Sequence, residues 1–403
     1  MESAKLSRRI ALAVAMAIAL FALLAGSRLI VASGLVRVGL YGLDEHEVKA
    51  VAYLLGEGYR FTEYAQDLKS LGHKPKEELL IYKAWTPFEA DTFEAVPKEI
   101  MLRTVPSMRA AGSSGPDMLA MPILMDHVGL SIHKESMSRL GLGGPADLRD
   151  LESALASWSA RRQASVADGK RWPLVFAGGE DEDLLQLVSL MLVGEAGAEG
   201  YDAVRDALRS GTGWETLMEL ALGPGRGRDI LRFSGVLGRL KSWIRERYVH
   251  PEWHSLRLAD LKAVLESNGA FMSVHALSFQ RSVNPQVLSG FSNSRFPGVS
   301  KEEGMGILMI TPLTVVSPRK ASDGRGIDAL YAMTEAAKGK EAAQLSRRAS
   351  ALSASNAPDL QAADALAWAA ASSRLANGLY HDGFLERAEA AAFAARVREW
   401  LRQ

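Results

Sequence analysis

The tightest group of potential metal ligands among the 403 residues is His250-Pro-Glu252-Trp-His254. Two histidines four apart can share a metal on a continuous helix, but Pro251 breaks that geometry, so a helix-to-turn junction is the better reading. His46-Glu47 lacks the second histidine that a zinc peptidase helix needs. Gly235–Ser242 contains a Gly, a Lys and a Ser at the wrong spacing for a phosphate-binding loop, and Gly223, Gly225 and Gly227 do not follow a strand. There is no Gly-x-Ser-x-Gly nucleophile elbow and no cysteine, which removes thiolate catalysis, disulfides and Cys-ligated metals. No catalytic residue, metal or cofactor is expected.

The remaining reactive side chains suit binding. Trp85 stands beside Pro87 at the carboxyl end of a strand, where it could stack on a ligand or fill a core. Asp126-His127 follows an apolar run, and a charged pair there is expensive if buried without partners. It either faces a ligand or belongs to a hinge network. His275 interrupts an apolar strand and is a ligand contact or a satisfied core histidine. Glu180 to Asp183 reads as a helix N-terminus favoured by the helix dipole, with ligand contact as the alternative. Trp253 and Trp368 are further aromatic candidates, whereas Trp243 has the helical spacing of a core ring.

The elements that must position these groups alternate strand and helix. Leu35–Tyr41, Tyr59–Tyr64, Glu78–Tyr82, Met118–Met125, Val128–His133, Trp172–Phe176, Ala270–Leu277 and Ile307–Val316 read as strands. Asp44 caps a helix through Leu55, Leu184–Val193 and Tyr201–Leu208 read as helices, and Leu258–Leu265 as a short one. The end of the chain is Ala-rich and helical. This is an α/β pattern with at least two sheets. Its length exceeds what one hydrophobic core usually supports. With 47 basic and 47 acidic residues the net charge is zero, which argues against nucleic-acid binding. Lys5, Arg8 and Arg9 precede the apolar run Ile10–Leu24, the pattern of an export signal with a cleavage point after Ser33, or of an uncleaved anchor extending to Val31.

Four stretches carry a family resemblance. Met121-Pro-Ile-Leu-Met-Asp126-His-Val-Gly-Leu-Ser-Ile132, followed by Lys134, Leu140-Gly141-Leu142 and Pro145, resembles a first interlobe crossover. Tyr248-Val-His-Pro251 with Asn268-Gly269-Ala270-Phe271-Met272 resembles a helix and return strand. Phe296-Pro297-Gly298 and Gly306–Pro318 resemble the next strand end and the second return strand. In this order they are similar to the extracellular solute-binding proteins of carbohydrate ATP-binding-cassette (ABC) importers.

The resemblance implies a two-lobed periplasmic binding protein-like (class II) α/β fold with interlobe crossovers, closing on a small organic solute, a sugar in the first instance. It implies a non-enzymatic, monomeric, exported protein of the periplasm or of the outer face of the cytoplasmic membrane, whose partner is a membrane permease and not a nucleic acid. Trp85, Asp126, His127, His275 and Trp253 would lie near the cleft. The expected division is 1–33 as export signal or anchor, 34–125 plus 268–303 as one lobe, and 126–267 plus 304–403 as the other. Relatives often carry a lipid-anchoring Cys, which this chain lacks. Two alternatives follow: an anchored sensor or scaffold, or an exported glycoside hydrolase using Glu180 with Asp126.

Overall fold

The computed structural model describes residues 35–64, 76–83, 92–114, 116–164, 169–222, 230–298, 307–319, 324–352, 359–372, 374–384 and 386–403. The N-terminal segment 1–33 and Trp85 lie outside these residues. No helix among the described residues is long and apolar enough to cross a membrane.

Ten strands join in one sheet: β1 (Val36–Tyr41), β2 (Tyr59–Tyr64), β3 (Leu79–Tyr82), β4 (Met121–His133), β5 (Trp172–Val175), β6 (Ala270–Ala276), β7 (Phe291–Ser294), β8 (Ile307–Val316), β9 (Ala349–Ser350) and β10 (Arg374–Ala376). Two short ribbons stand apart, one pairing Ser113–Ser114 with Asp117–Met118 and the other Ala221–Leu222 with Leu231–Arg232. The helices that matter below are α1 (Glu45–Leu55), α2 (Leu148–Ala164), α3 (Asp181–Arg209), α4 (Phe233–Arg245), α5 (Leu258–Glu266), α6 (Leu277–Gln280), α7 (Arg325–Ala336), α8 (Glu341–Ser346), α9 (Leu360–Ala371), α10 (Leu379–Asp382) and α11 (Arg387–Arg402).

Two large hydrophobic cores among the described residues pack against the sheet. Parallel β1, β2 and β3 pack with α1, α7 and α8 around Val38, Leu40, Val51, Leu54, Ile81, Leu330 and Met333. The second core gathers β4, β5 and β6 with α2, α3, α4 and α11 around Leu130, Ile132, Trp158, Leu174, Val188, Phe271 and Met272. Trp158 stacks on Phe271 at 4.7 Å and donates its indole N–H to the Arg171 carbonyl. A fully buried indole is favourable only when that donor is satisfied.

β4 and β8 join the two cores. Residues 121–127 of β4 pair antiparallel with β8, from Val315↔Met121 to Ile310↔His127. Residues 128–133 pair instead with β6 and β7. The sequence pattern splits this stretch into two strands around a crossover at Asp126-His127; the chain forms one strand of 13 residues, every one buried. Residues 270–276 and 291–294 pair with the second half of β4 and with β5, so this return segment lies with the second core. The β8 residues 310–316 pair with β3 and the first half of β4. A buried strand is apolar on both faces, so its own pattern carries no information about which neighbour it pairs with.

Candidate functional site

Ligands of open α/β sheets bind at the carboxyl ends of parallel strands. Here such ends from both cores converge. After β1 the chain turns into α1 through Asp44, whose side chain accepts from the Glu47 N–H at 2.9 Å while Glu47 accepts from the Asp44 N–H at 2.7 Å. This reciprocal capping box leaves the Glu47 carboxylate fully buried. It is paid for by two cations: Arg348, which forms a direct ion pair with it, and Lys83 at the end of β3, 2.9 Å away. Burial pushes the Glu47 carboxyl up, and Arg348 and Lys83 together outweigh that and hold it below the usual range.

Arg348 also reaches the joining strands. It donates to the Thr311 carbonyl at 2.8 Å and lies 3.9 Å from Asp126, the residue paired with Thr311 in the register of β4 and β8. Asp126, 4% exposed, accepts from the Ser278 N–H at 3.0 Å. Ser278 belongs to α6, just beyond the carboxyl end of β6. One ion network thus ties α1, β3, both joining strands and α6.

A cavity of about 270 Å³ lies between Asp44 and His46 at the start of α1 and Leu258, Lys262, Ser278 and Phe279 on α5 and α6. Beyond β5 comes the acidic start of α3. His381 lies 2.9 Å from Glu182, whose side chain is 44% exposed. The charges of His381, Lys83 and Arg348 hold the Glu182 carboxyl below its usual range. Asp183 behaves oppositely: burial, then the charges of Glu182, Glu180 and Asp126, push it well above the carboxylate range. Lys83, Arg348 and Asp126 are therefore close enough to act on the acidic end of α3. Arg387 donates to the Gly42 carbonyl at 3.1 Å and ties α11 to the loop after β1.

Of the residues expected from sequence, Asp126, His127 and His275 come together. His127 is 5% exposed, edge-on to Trp368 at 5.2 Å, and its Nδ1 has no hydrogen-bond partner among the described residues. His275 pairs in register with Gly129, and its Nε2 is likewise unpartnered. Burial, with Arg281 and Arg295 adding to it against Asp126, lowers His127 to about 4. Burial lowers His275 to about 4 as well. Both rings are neutral at pH 7.

Trp253 stands elsewhere. It is 2% exposed and packed on Phe176 at 5.7 Å, and a Cβ on Gly178 would meet its ring at 2.6 Å. Its ring belongs to the second core. Sequence reasoning did not single out Glu47, Lys83, Arg348 and His381. The strand-end rule that selected Trp85 applies equally to Lys83, two residues earlier; Arg348 and His381 sit in Ala-rich and loop sequence with no local signal. No group of His, Asp and Glu among the described residues is arranged to hold a metal.

No protein-family model matches the chain, and no curated protein matches it in sequence. Solved structures do match it. The binding protein MsmE of Bacillus subtilis, in an open conformation, is 13% identical with a TM-score of 0.68, over 92% of this chain and 96% of that one. The bacterial solute receptor AcbH, described as exclusively preferring β-D-galactopyranose, is 12% identical with a TM-score of 0.69, over 93% and 94%. The raffinose complex of the solute-binding protein RafE is 12% identical with a TM-score of 0.60, over 91% and 94%. What this chain shares with them along nearly its whole length is the two-lobed α/β fold of periplasmic solute-binding proteins.

Proposed function

We propose that this chain is the exported solute-binding component of an ABC importer and holds a neutral sugar in the cleft between its lobes. One observation carries the reading: β4 and β8 run from one core to the other, and the chemistry-bearing side chains of both cores converge where they do so. Structures of this fold include a galactopyranose receptor and a raffinose complex, which supports the sugar assignment. The lobes divide as 35–126 with 310–352, and 128–298 with 374–403. Asp126, His127 and His275 flank the cleft. Trp85, three residues past β3, is retained as a stacking residue, while Trp253 is withdrawn. Residues 1–33 direct export, and a membrane permease receives the loaded protein. Asp126 is already engaged by Ser278 and Arg348, which argues against the hydrolase reading.

Thermal unfolding with a panel of neutral mono- and oligosaccharides tests this. A ligand at about 100 times its Kd adds roughly 2.7 kcal/mol to stability and raises Tm. The reading fails when no sugar of the panel shifts the transition.

A further inference from the structure

The cavity of about 270 Å³ is lined by polar side chains whose capacity the fold leaves largely unused. Asp44 and Arg347 line it from the first lobe. Asp44 caps α1 through Oδ1, and its Oδ2 faces only Lys83, 3.9 Å away. Arg347 follows α8 at φ +57°, a left-handed conformation that favours glycine. Arginine stands there instead, and its guanidinium has no ion-pair or hydrogen-bond partner among the described residues. Strained backbone of this kind points to a use for the side chain it carries.

The facing wall belongs to the second lobe, where α5 and α6 pack on β5 and β6 through Leu261, Phe279, Val175 and Ala270. Lys262 on α5 reaches only Glu266, at 3.9 Å and partly exposed. The Ser278 N–H is held by Asp126 at 3.0 Å, but the Ser278 and Ser282 hydroxyls have no partner among the described residues. Phe279 adds an apolar stretch to the same wall.

This combination suits a ring bearing several hydroxyl groups. Each hydroxyl donates and accepts, so such a ring needs donors and acceptors around it. Arg347 and Lys262 only donate, a carboxylate oxygen of Asp44 only accepts, and the two serines do either. The Phe279 surface suits the apolar face of a sugar, whereas a small anion would meet the Asp44 carboxylate. The volume bounds the size. Pockets for drug-sized ligands run from about 300 to 1,000 Å³, and this cavity lies just below that range, enough for one sugar ring.

We propose that this cavity is the subsite for a single sugar ring, with Arg347 of one lobe and Lys262 of the other donating to its hydroxyl groups and Asp44 accepting from them. Because the two donors stand on different lobes, the bound ring links the lobes. The inference rests on the sugar-binding reading above and adds the contacting residues and the size class, a monosaccharide.

The test is titration calorimetry on the full chain with the monosaccharide that gives the largest thermal shift. Arg347→Gly suits the left-handed backbone and removes the guanidinium, so its ligand-free Tm should equal or exceed that of the parent. Lys262→Met keeps a good helix former and removes a partly exposed charge, so its Tm should stay near the parent's. Each variant should bind the monosaccharide about tenfold more weakly or worse, as expected for losing a hydrogen bond from a charged donor. Affinity within twofold of the parent in either variant overturns the inference. So does an oligosaccharide that binds the parent more than tenfold tighter than the monosaccharide. If Arg347→Gly does not fold, Lys262→Met decides alone. These outcomes leave the sugar-binding reading standing, whereas a parent chain that no sugar stabilises overturns that reading and this inference with it.

Discussion

Arg348→Met removes the cation on which the ion network turns. Arg348 pairs with Glu47, donates to Thr311 O at 2.8 Å and lies 3.9 Å from Asp126. Truncating one partner of a buried pair costs about 3–5 kcal/mol, because the other charge is left in a poorly solvated place. Lys83 stays 2.9 Å from Glu47 and is itself largely buried, so part of the compensation survives. We expect a loss of roughly 2–4 kcal/mol in urea unfolding at pH 7, read as a fall in midpoint without change of slope. Glu47→Gln should cost about 1–3 kcal/mol by freeing Arg348 from its main counter-charge. The double variant should then lose less than the sum, with a coupling of about 1–3 kcal/mol, since neither charge is left alone. Additivity of the two losses within about 0.5 kcal/mol would refute the network as drawn. The pH dependence gives a second check. The folded Glu47 carboxyl lies below its unfolded value, so its stabilisation is complete above about pH 4.3 and is lost as pH falls through the lower folded value. Glu47→Gln should remove that part of the acid loss.

Two other outcomes follow from the same geometry. His127 and His275 sit at about 4 when folded, below the value of about 6.5 expected in the unfolded chain, so unfolding takes up protons between these limits and stability falls as pH drops through them; urea midpoints of a His127→Gln, His275→Gln variant should lose most of that slope. Trp253→Ala should cost about 3–5 kcal/mol of stability while leaving sugar affinity per folded molecule unchanged, the signature of a core ring and not of a stacking one.

How much was legible depends on how local the cause is. The Asp44 cap, the α5 helix and the strands at 36–41, 59–64 and 79–82 rest on contacts within a few residues, and the sequence pattern places them closely. The break expected between Leu184–Val193 and Tyr201–Leu208 is also real: α3 is interrupted at Gly197, with φ +69°, a conformation that favours glycine. Asp126-His127 misleads, because a charged residue followed by histidine in an apolar run suggests a chain leaving the sheet. It stays in the strand because Arg348 and the Ser278 N–H, more than 150 residues distant, satisfy the carboxylate. Trp253 misleads for the converse reason: an aromatic flanked by His254 and Glu252 looks available, and only the packing against Phe176 and Gly178 removes it.

The sequence by itself determined the class of the fold, the order of the segments and the absence of cysteine chemistry, since hydrophobic period, turn residues and composition are properties of the chain. It also marked Asp126, His127 and His275 as unusual, because polar groups in apolar strands must find partners somewhere. Only the tertiary structure decided which half of β4 pairs with which return strand, and hence which segments share a core. It alone brought Lys83, Glu47, Arg348 and Glu182 within electrostatic reach of one another. Each lies at the end of a different element, and an electrostatic or hydrogen-bonding partner is chosen by distance in space, which no local pattern in the chain encodes.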